Sequence, residues 1–168
     1  MKTGTPGNVM GLDAVVYCDC LETGRLRELP PPGCEPIVSR DGSLNCRSNE
    51  LNDQLAFDQW LQSRACEHEN GVLLHHFLGN IATVAALRTE LQRLPAQFPI
   101  MLTKVIYNGV HAGDCLDASQ IAGLKSEILA LSDFHGSTPD TDQLLRHFES
   151  QMVALVECAQ RISKPISF

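Results

Sequence analysis

The stretch Cys66-Glu67-His68-Glu69-Asn70-Gly71-Val72-Leu73-Leu74-His75-His76-Phe77-Leu78-Gly79-Asn80 decides the fold that the sequence predicts. Its centre, residues 72–78, is a short apolar run that is typical of a strand in the core of a sheet. Polar residues and a glycine stand at each end of this run, which indicates a tight turn before the strand and a helix cap after it. The stretch therefore predicts a strand between two helices.

Both flanking helices have clear sequence signals. The first is predicted from a cap at Ser48 or Asn49 to about residue 65, with a wide apolar arc that places Trp60 in the core. The second follows the capping residue Asn80 and covers residues 81–94, until a proline ends it. Both helices are expected to pack on the strand between them.

The N-terminal third predicts a strand, a loop and a hairpin. Residues 11–18 are rich in β-branched and aromatic side chains, so we expect a buried strand there. Residues 21–36 contain three consecutive prolines and predict an extended surface loop. Residues 36–46 predict a short hairpin, because an Asp-Gly pair at its centre suits a tight turn.

The C-terminal half predicts a strand and two helices. Residues 100–107 are rich in β-forming side chains and predict a strand. A glycine-bearing loop, residues 108–115, follows, and Asp117 with Gln120 forms a capping-box pattern for the next helix. A last helix is predicted to open at Thr138 and Pro139.

The last helix has the clearest periodicity in the chain. Its apolar residues recur at alternating spacings of three and four: Leu145, Phe148, Met152, Leu155, Ala159 and Ile162. Such a stripe packs on a sheet or on a neighbouring helix. A homodimer through residues 140–162 is the alternative.

The order of these elements predicts an α+β or small α/β fold. We expect a single sheet of about four to five strands with three to four helices packed on it. Residues 11–168 are predicted to form a single globular domain, and residues 1–10 a flexible leader or tag. No apolar run approaches the roughly 20 residues that cross a bilayer, and no signal peptide is evident, so no membrane association and a cytoplasmic location are expected.

The charge balance bears on the class of partner. The net charge is −7, with 20 acidic and 13 scattered basic residues. Nucleic acid is therefore disfavoured as a partner, because binding a phosphate backbone needs clustered Lys and Arg. An acidic surface suits a partner protein with a basic surface.

The seven cysteines predict free thiols in a reducing compartment, because their number is odd and no secretion signal is present. No Cys-x-x-Cys pair occurs, so the spacings of a zinc ribbon and of thioredoxin are absent. Cys18 and Cys20 form a Cys-x-Cys that would put both sulfur atoms on one side of a strand. Two small residues at a strand end are the favoured interpretation, and metal or redox use is the alternative.

Two polar loops supply the candidate catalytic residues. His68 and Glu69 precede the central strand, and His111 and Asp114 lie in a loop between a predicted strand and a helix. Loops in such positions often line a ligand crevice. If the two loops meet, these four residues form an acid/base or metal constellation.

A divalent metal such as zinc is the cofactor that these histidines suggest. The candidate metal ligands are His68, His75, His76, His111 and Asp114. Adjacent residues on a strand point to opposite faces, so His75 and His76 are not expected in one site. The Gly-x-Ser-x-Gly, Gly-x-x-x-x-Gly-Lys and Gly-x-Gly-x-x-Gly signatures are absent.

The opening Met10-Gly11-Leu12-Asp13-Ala14-Val15-Val16-Tyr17 resembles the start of several small uncharacterised bacterial proteins. Some proteins of that kind are immunity proteins of toxin systems. The resemblance implies a cytoplasmic acidic binding protein that neutralises a partner toxin. The alternative is a small metal-dependent or acid/base hydrolase with a His/Glu/Asp site built from loops 66–71 and 108–115.

Overall fold

A computed structural model describes residues 11–168 of the chain. The predicted leader or tag, residues 1–10, lies outside the described residues. The strands are β1 (Gly11–Tyr17), β2 (Pro36–Val38), β3 (Leu44–Cys46), β4 (Val72–Asn80), β5 (Cys115–Leu116) and β6 (Ile166–Ser167). The helices are α1 (Leu51–Ser63), α2 (Ile81–Leu91), α3 (Ala118–Ser132) and α4 (Pro139–Ile162).

The predicted α+β class is confirmed. One four-stranded antiparallel sheet has the order β4-β1-β6-β5, and β2 and β3 form a separate two-stranded hairpin. The main sheet has four strands, the lower of the two predicted numbers, because the hairpin does not join it. Within residues 11–168, no helix has the length and apolar character needed to cross a membrane.

Strand β1 organises the sheet, and its side chains alternate in burial. Leu12, Ala14 and Val16 are fully buried, whereas Asp13 on the opposite face is exposed. Because burial alternates with a period of two, only one face of β1 packs in the core. A strand that is buried on both sides would have two such faces. The antiparallel partner of β1 is β4, and Tyr17 pairs with Val72.

Helices α2, α3 and α4 begin where the predicted caps lie, whereas the predicted cap of α1 at Ser48 or Asn49 is wrong, because α1 begins after Glu50 without a side-chain cap. Asn80 accepts a hydrogen bond from the Thr83 amide at 2.9 Å, and Asp117 forms the predicted capping box. Pro139 occupies the first turn of α4, whose apolar stripe is buried against the sheet and α3. Because the stripe is used within the chain, a homodimer through residues 140–162 would need another face of this helix, and it stays a prediction.

The predicted strand over residues 100–107 is wrong. The segment forms a helical turn that ends as a π-helix, Met101–Val105. The Glu127 carboxylate accepts hydrogen bonds from the amides of Ile100 and Met101, at 2.6 and 2.8 Å, and so caps this turn. The buried residues Met101 and Val105 have a helical spacing that a short apolar run cannot distinguish from a buried strand.

Residues 19–71, which we call the insertion, link β1 to β4; residues 11–18 and 72–168 form the body. The insertion has its own small core, made of Cys34, Phe57, Trp60 and Ala65. Trp60 is 1% exposed, as predicted, and its indole N–H donates to the Glu28 carbonyl at 3.1 Å. The helix α1 therefore packs on the insertion's own loop as well as on the turn before β4.

Two contacts and a disulfide fix the far side of the insertion. Cys34 and Cys46 are joined by a disulfide, with Cα atoms 5.4 Å apart. The prediction of free thiols is therefore wrong for two of the seven cysteines, although the other five are free. Lys164 of the body, whose side chain is buried, pairs with Glu22 at 2.5 Å. Cys115 of the body lies 3.7 Å from a backbone carbonyl of the hairpin turn.

Candidate metal centre

The end of β1 and the start of β4 bring four potential metal ligands together. Cys18 directly follows β1, and Cys20 lies two residues further on. Cys66 and His68 stand just before the turn that opens β4. Because β1 and β4 are antiparallel partners, these two chain segments are neighbours, and the Cys18 amide donates to the Gly71 carbonyl at 2.8 Å.

The ligand atoms have the spacing of a tetrahedral zinc site. The Cys18 and Cys66 sulfur atoms are 3.8 Å apart. The His68 Nδ1 lies 3.4 Å from the Cys20 sulfur and 3.7 Å from the Cys66 sulfur, and all four ligand atoms lie within 4.8 Å of one another. Tetrahedral zinc with ordinary bond lengths separates two sulfurs by about 3.8 Å, and sulfur from nitrogen by about 3.6 Å. The residues therefore fit zinc without rearrangement of the backbone.

The two halves of the cluster are built alike. The backbone N–H of His68 donates to the Cys66 sulfur at 3.4 Å. The backbone N–H of Cys20, two residues along the chain from Cys18, likewise acts to lower the pKa of the Cys18 thiol, against the larger opposite effect of burial. Such N–H donors stabilise a thiolate more than a neutral thiol. Both Cys-x-Cys and Cys-x-His therefore present one ligand whose negative charge the backbone already supports.

A left-handed turn carries the second pair into the strand. Asn70 and Gly71 have φ values of 53° and 69°, within the short helix Glu69–Gly71. Gly adopts this conformation without steric cost, and Asn is one of the few other residues that tolerates it. The polar turn that the sequence predicts is thus the element that brings Cys66 and His68 back onto the end of β1.

Burial disfavours the thiolate form of the cluster cysteines unless a cation is bound among them. Cys18, Cys20 and Cys66 are at most 5% exposed, and His68 is partly buried. Burial raises the pKa of the Cys18 thiol, and it raises that of Cys20 to about 12, with the neighbouring thiols adding to the effect on Cys20. Neutral thiols form only weak hydrogen bonds, whereas a bound metal ion deprotonates its thiol ligands outright. The chemistry of the donor set thus favours a cation at its centre.

Glu67 adds a carboxylate beside the histidine. The His68 Nε2 atom lies 3.7 Å from the Glu67 carboxylate, which is within ion-pairing distance. A histidine that ligates a metal commonly has a carboxylate near its second nitrogen, and this contact orients the ring. His68, which the sequence singles out, thus lies in the cluster, whereas neighbouring Glu69 begins the short helix and contributes no ligand atom to it.

The predicted four-residue constellation is not assembled, because residues 66–71 lead into the edge strand β4, whereas Asp114 directly precedes β5 at the opposite edge of the four-stranded sheet. Residues 66–71 lead into Val72, whereas Gly109 packs against Ile81, directly after the other end of the strand. The strand has nine residues, which at about 3.3 Å per residue places its Ile81 end, beside Gly109, roughly 25 Å from Val72, and three strand spacings of about 4.8 Å, roughly 14 Å, separate β4 from β5 beside Asp114. The predicted hydrolase site built from loops 66–71 and 108–115 therefore has no common centre.

His111 and Asp114 form a local arrangement at their own end of the sheet. The buried His111 side chain hydrogen-bonds through Nε2 to the Val105 carbonyl at 2.7 Å, and its Nδ1 lies 3.3 Å from the Asp114 carboxylate. Tyr107 donates to the same carboxylate, and this contact raises the pKa of the tyrosine. These contacts tie the loop to the π-helix, and separate catalytic roles for His111 and Asp114 stay predictions.

His75 and His76 also lie outside the cluster. Their side chains differ in burial, as expected for neighbours on a strand: His75 is exposed and His76 is partly buried. The His75 Nε2 atom forms a hydrogen bond of 2.6 Å with the Asp13 carboxylate. Burial, with His75 and His147 nearby, lowers the pKa of His76. Among residues 11–168, the only group of three or more metal-ligating side chains that converge is Cys18, Cys20, Cys66 and His68. The predicted metal roles of His75, His76, His111 and Asp114 therefore find no shared ligand set.

Sequence reasoning named His68 as a metal ligand, gave metal use of Cys18 and Cys20 only as the alternative interpretation, and missed Cys66. The signal that finds them is the repeated one-residue spacing, Cys18-x-Cys20 and Cys66-x-His68, at the end of one predicted strand and the start of another. The two pairs are 48 residues apart, so the signal is complete only when the two strands are paired.

Comparison of the chain with protein-family models, with curated proteins and with solved structures gives no match.

Proposed function

We propose that this chain is a non-catalytic binding protein in which one zinc ion, held by Cys18, Cys20, Cys66 and His68, fastens the insertion to the sheet. The observation that carries the proposal is the convergence of the four ligand atoms within 4.8 Å of one another, with three of their distances, 3.8, 3.4 and 3.7 Å, close to the edges of a tetrahedral site.

The donor set favours zinc and a structural role. Three thiolates and one imidazole are soft to borderline ligands in a tetrahedral arrangement, a combination typical of zinc. A catalytic zinc site keeps one coordination position open for water or substrate, whereas here the protein supplies all four. The ion would thus supply cross-linking rather than hydrolysis.

The charge distribution supports a binding role. Residues 19–71 carry ten Asp and Glu against five Arg, and they contain no lysine. This part of the chain therefore presents an excess of negative charge that suits a partner protein with a basic surface. The predicted immunity protein, which neutralises a partner toxin, is the narrower form of this proposal.

Metal analysis of protein purified without a polyhistidine tag tests the proposal. We expect one zinc per chain in the wild type, and visible absorption bands of tetrahedral cobalt thiolate after exchange with Co²⁺. The variants Cys66→Ser and His68→Ala should lose the metal, because each removes one of four ligands.

Cys158→Ser is the matched control, since Cys158 is also a buried free cysteine but lies in α4, outside the cluster. It should keep one zinc. Wild-type protein that holds no metal after refolding with zinc and a reductant would overturn the proposal. Equal metal content in the wild type and Cys66→Ser would overturn it too.

A further inference from the structure

We infer that the outer face of α1 is a docking surface for a positively charged protein segment that carries apolar side chains. The inference names the partner chemistry of the binding role proposed above and rests on that role, not on the metal itself. The α1 outer face consists of Leu51, Leu55, Asp58 and Gln62, which share one side of the helix at spacings of four, three and four residues.

Two leucines on this face are exposed. Leu51 is 68% exposed and Leu55 is 50% exposed, and they are neighbours at i and i+4. The opposite side of α1 buries Phe57 and Trp60 in the small core of the insertion. The helix therefore forms its intramolecular core without Leu51 and Leu55. An adjacent pair of exposed leucines differs from scattered single ones, which are ordinary on protein surfaces.

The charges that α1 itself carries are of one sign. Residues 50–63 contain Glu50, Asp53 and Asp58 but no Lys or Arg. The arginines that flank α1 are already paired, Arg47 with Glu35 at 2.7 Å and Arg64 with Glu28 at 3.6 Å.

An apolar pair on a helix whose own charges are all acidic favours a partner with the opposite pattern, leucine-like anchors among lysines or arginines. Charge complementarity therefore argues for a basic partner and against a second copy of this acidic chain.

The fastening of the insertion supports the same conclusion. The cysteine cluster, the Cys34–Cys46 disulfide and the Glu22–Lys164 ion pair hold the segment that carries α1. A surface held in place before binding loses less conformational entropy on association. The cross-links around the four-residue core thus hold the α1 outer face in place before a partner binds.

The test uses zinc-loaded protein and two synthetic amphipathic helical peptides with identical leucine positions. One peptide carries lysine on its polar face, and the other carries glutamate. We expect the lysine peptide to bind with an affinity that falls with salt, and to shift the amide NMR signals of residues 50–63. The glutamate peptide should not bind.

Variants locate the binding on the helix. The double variant Leu51→Ser/Leu55→Ser should weaken binding of the lysine peptide by at least about tenfold. Leu129→Ser is the matched control, because Leu129 is 67% exposed, yet it is a single leucine on α3 one turn from Lys125, and its loss should change nothing. Asp58→Asn should reduce the salt dependence of the affinity.

The contrary outcomes are distinct from failure of the metal proposal. Equal affinity of the double variant and Leu129→Ser, or no binding of the lysine peptide, would overturn the docking surface while the measured zinc content stays at one per chain. Concentration-dependent shifts of the α1 signals without peptide would assign the face to a second copy and overturn the basic-partner inference. Binding through α1 by protein free of zinc would support the docking surface and count against the metal.

Discussion

The insertion and the body reach a folded state by different means. The body buries 26 residues in one continuous core, to which the sheet and helices α2, α3 and α4 all contribute. The insertion has a separate core of four residues, with a second cluster of three cysteines beside it. A unit with so few buried residues gains little from apolar burial, and small natural domains commonly add cross-links for this reason. The contrast indicates that cysteine cross-links stabilise the insertion, whereas buried apolar surface stabilises the body.

Removal of the proposed zinc ion should break this comparison most strongly. Trp60 is the single tryptophan and lies in the insertion, so its fluorescence reports that region alone. We expect a chelator to shift the emission to the red and to abolish amide-exchange protection in α1. Structural zinc binding contributes on the order of 10 kcal/mol in small zinc domains, more than a four-residue core supplies.

Far-UV circular dichroism provides the internal control for this experiment. The helix α4 has 24 residues and α1 has 13, so most of the helical signal comes from the body and should persist. Simultaneous loss of both signals would mean that the body also depends on the metal. If neither signal changed on complete removal of the metal, the ion would not fasten the insertion.

Most of the fold was predictable because its signals are local. The Asn80 cap, the Asp117 capping box and the apolar stripe of α4 are all encoded within one or two helical turns. The two-residue strands β5 and β6 were missed, because nothing local distinguishes them and they exist through pairing with each other and, for β6, with β1. The π-helix was missed because its cap, Glu127, lies 26 residues away along the chain from Met101.

The candidate site was predictable only in part for the same reason. His68 was found because it stands in an unusual polar turn before a strand, a signal contained in the sequence around it. Its association with Cys18 and Cys20 depends on the antiparallel register of β1 and β4. Sequence spacing alone grouped His68 with the loop of His111. The sequence does not specify where in the sheet each loop lies.

The next largest effect is expected from one cavity-forming variant in each core, which should show that the insertion and the body unfold separately. Leu155→Ala in α4 and Phe57→Ala in α1 each empty a site that is at most 2% exposed. The leucine variant should lower the free energy of unfolding by about 2–5 kcal/mol, measured by circular dichroism in urea, and the phenylalanine variant should cost the insertion about 3–5 kcal/mol. Phe57→Ala keeps Trp60 as the reporter, 5.3 Å away in the wild type.

The expected pattern is a separation of two transitions. Phe57→Ala should move the fluorescence midpoint and leave the dichroism midpoint within error, because the body does not use that core. Equal movement of both midpoints in either variant would contradict two separate cores and favour one cooperative unit.

The smallest predicted effect concerns a buried carboxylate, that of Glu90, which stabilises the body. Glu90 of α2 is 6% exposed and accepts hydrogen bonds from the hydroxyl and the amide of Ser137, just before α4. It also pairs with Arg93 at 2.8 Å. The Ser137 hydroxyl, more than any other contact, lowers the pKa of Glu90. The side chain thus links α2 to the start of α4 in its ionised form.

Glu90→Gln should lower the free energy of unfolding by about 1–3 kcal/mol at neutral pH, because an acceptor of charge-assisted hydrogen bonds is replaced by an amide. Since the folded pKa lies below the unfolded value of about 4.3, the wild-type carboxylate stabilises the fold above that pH. Its contribution is lost as the pH falls through the folded pKa. The difference between the two proteins should therefore shrink in acid, measured by urea unfolding followed by circular dichroism. A difference that persists at low pH would assign the effect to packing, and a shift of the Trp60 transition would mean that this contact also supports the insertion.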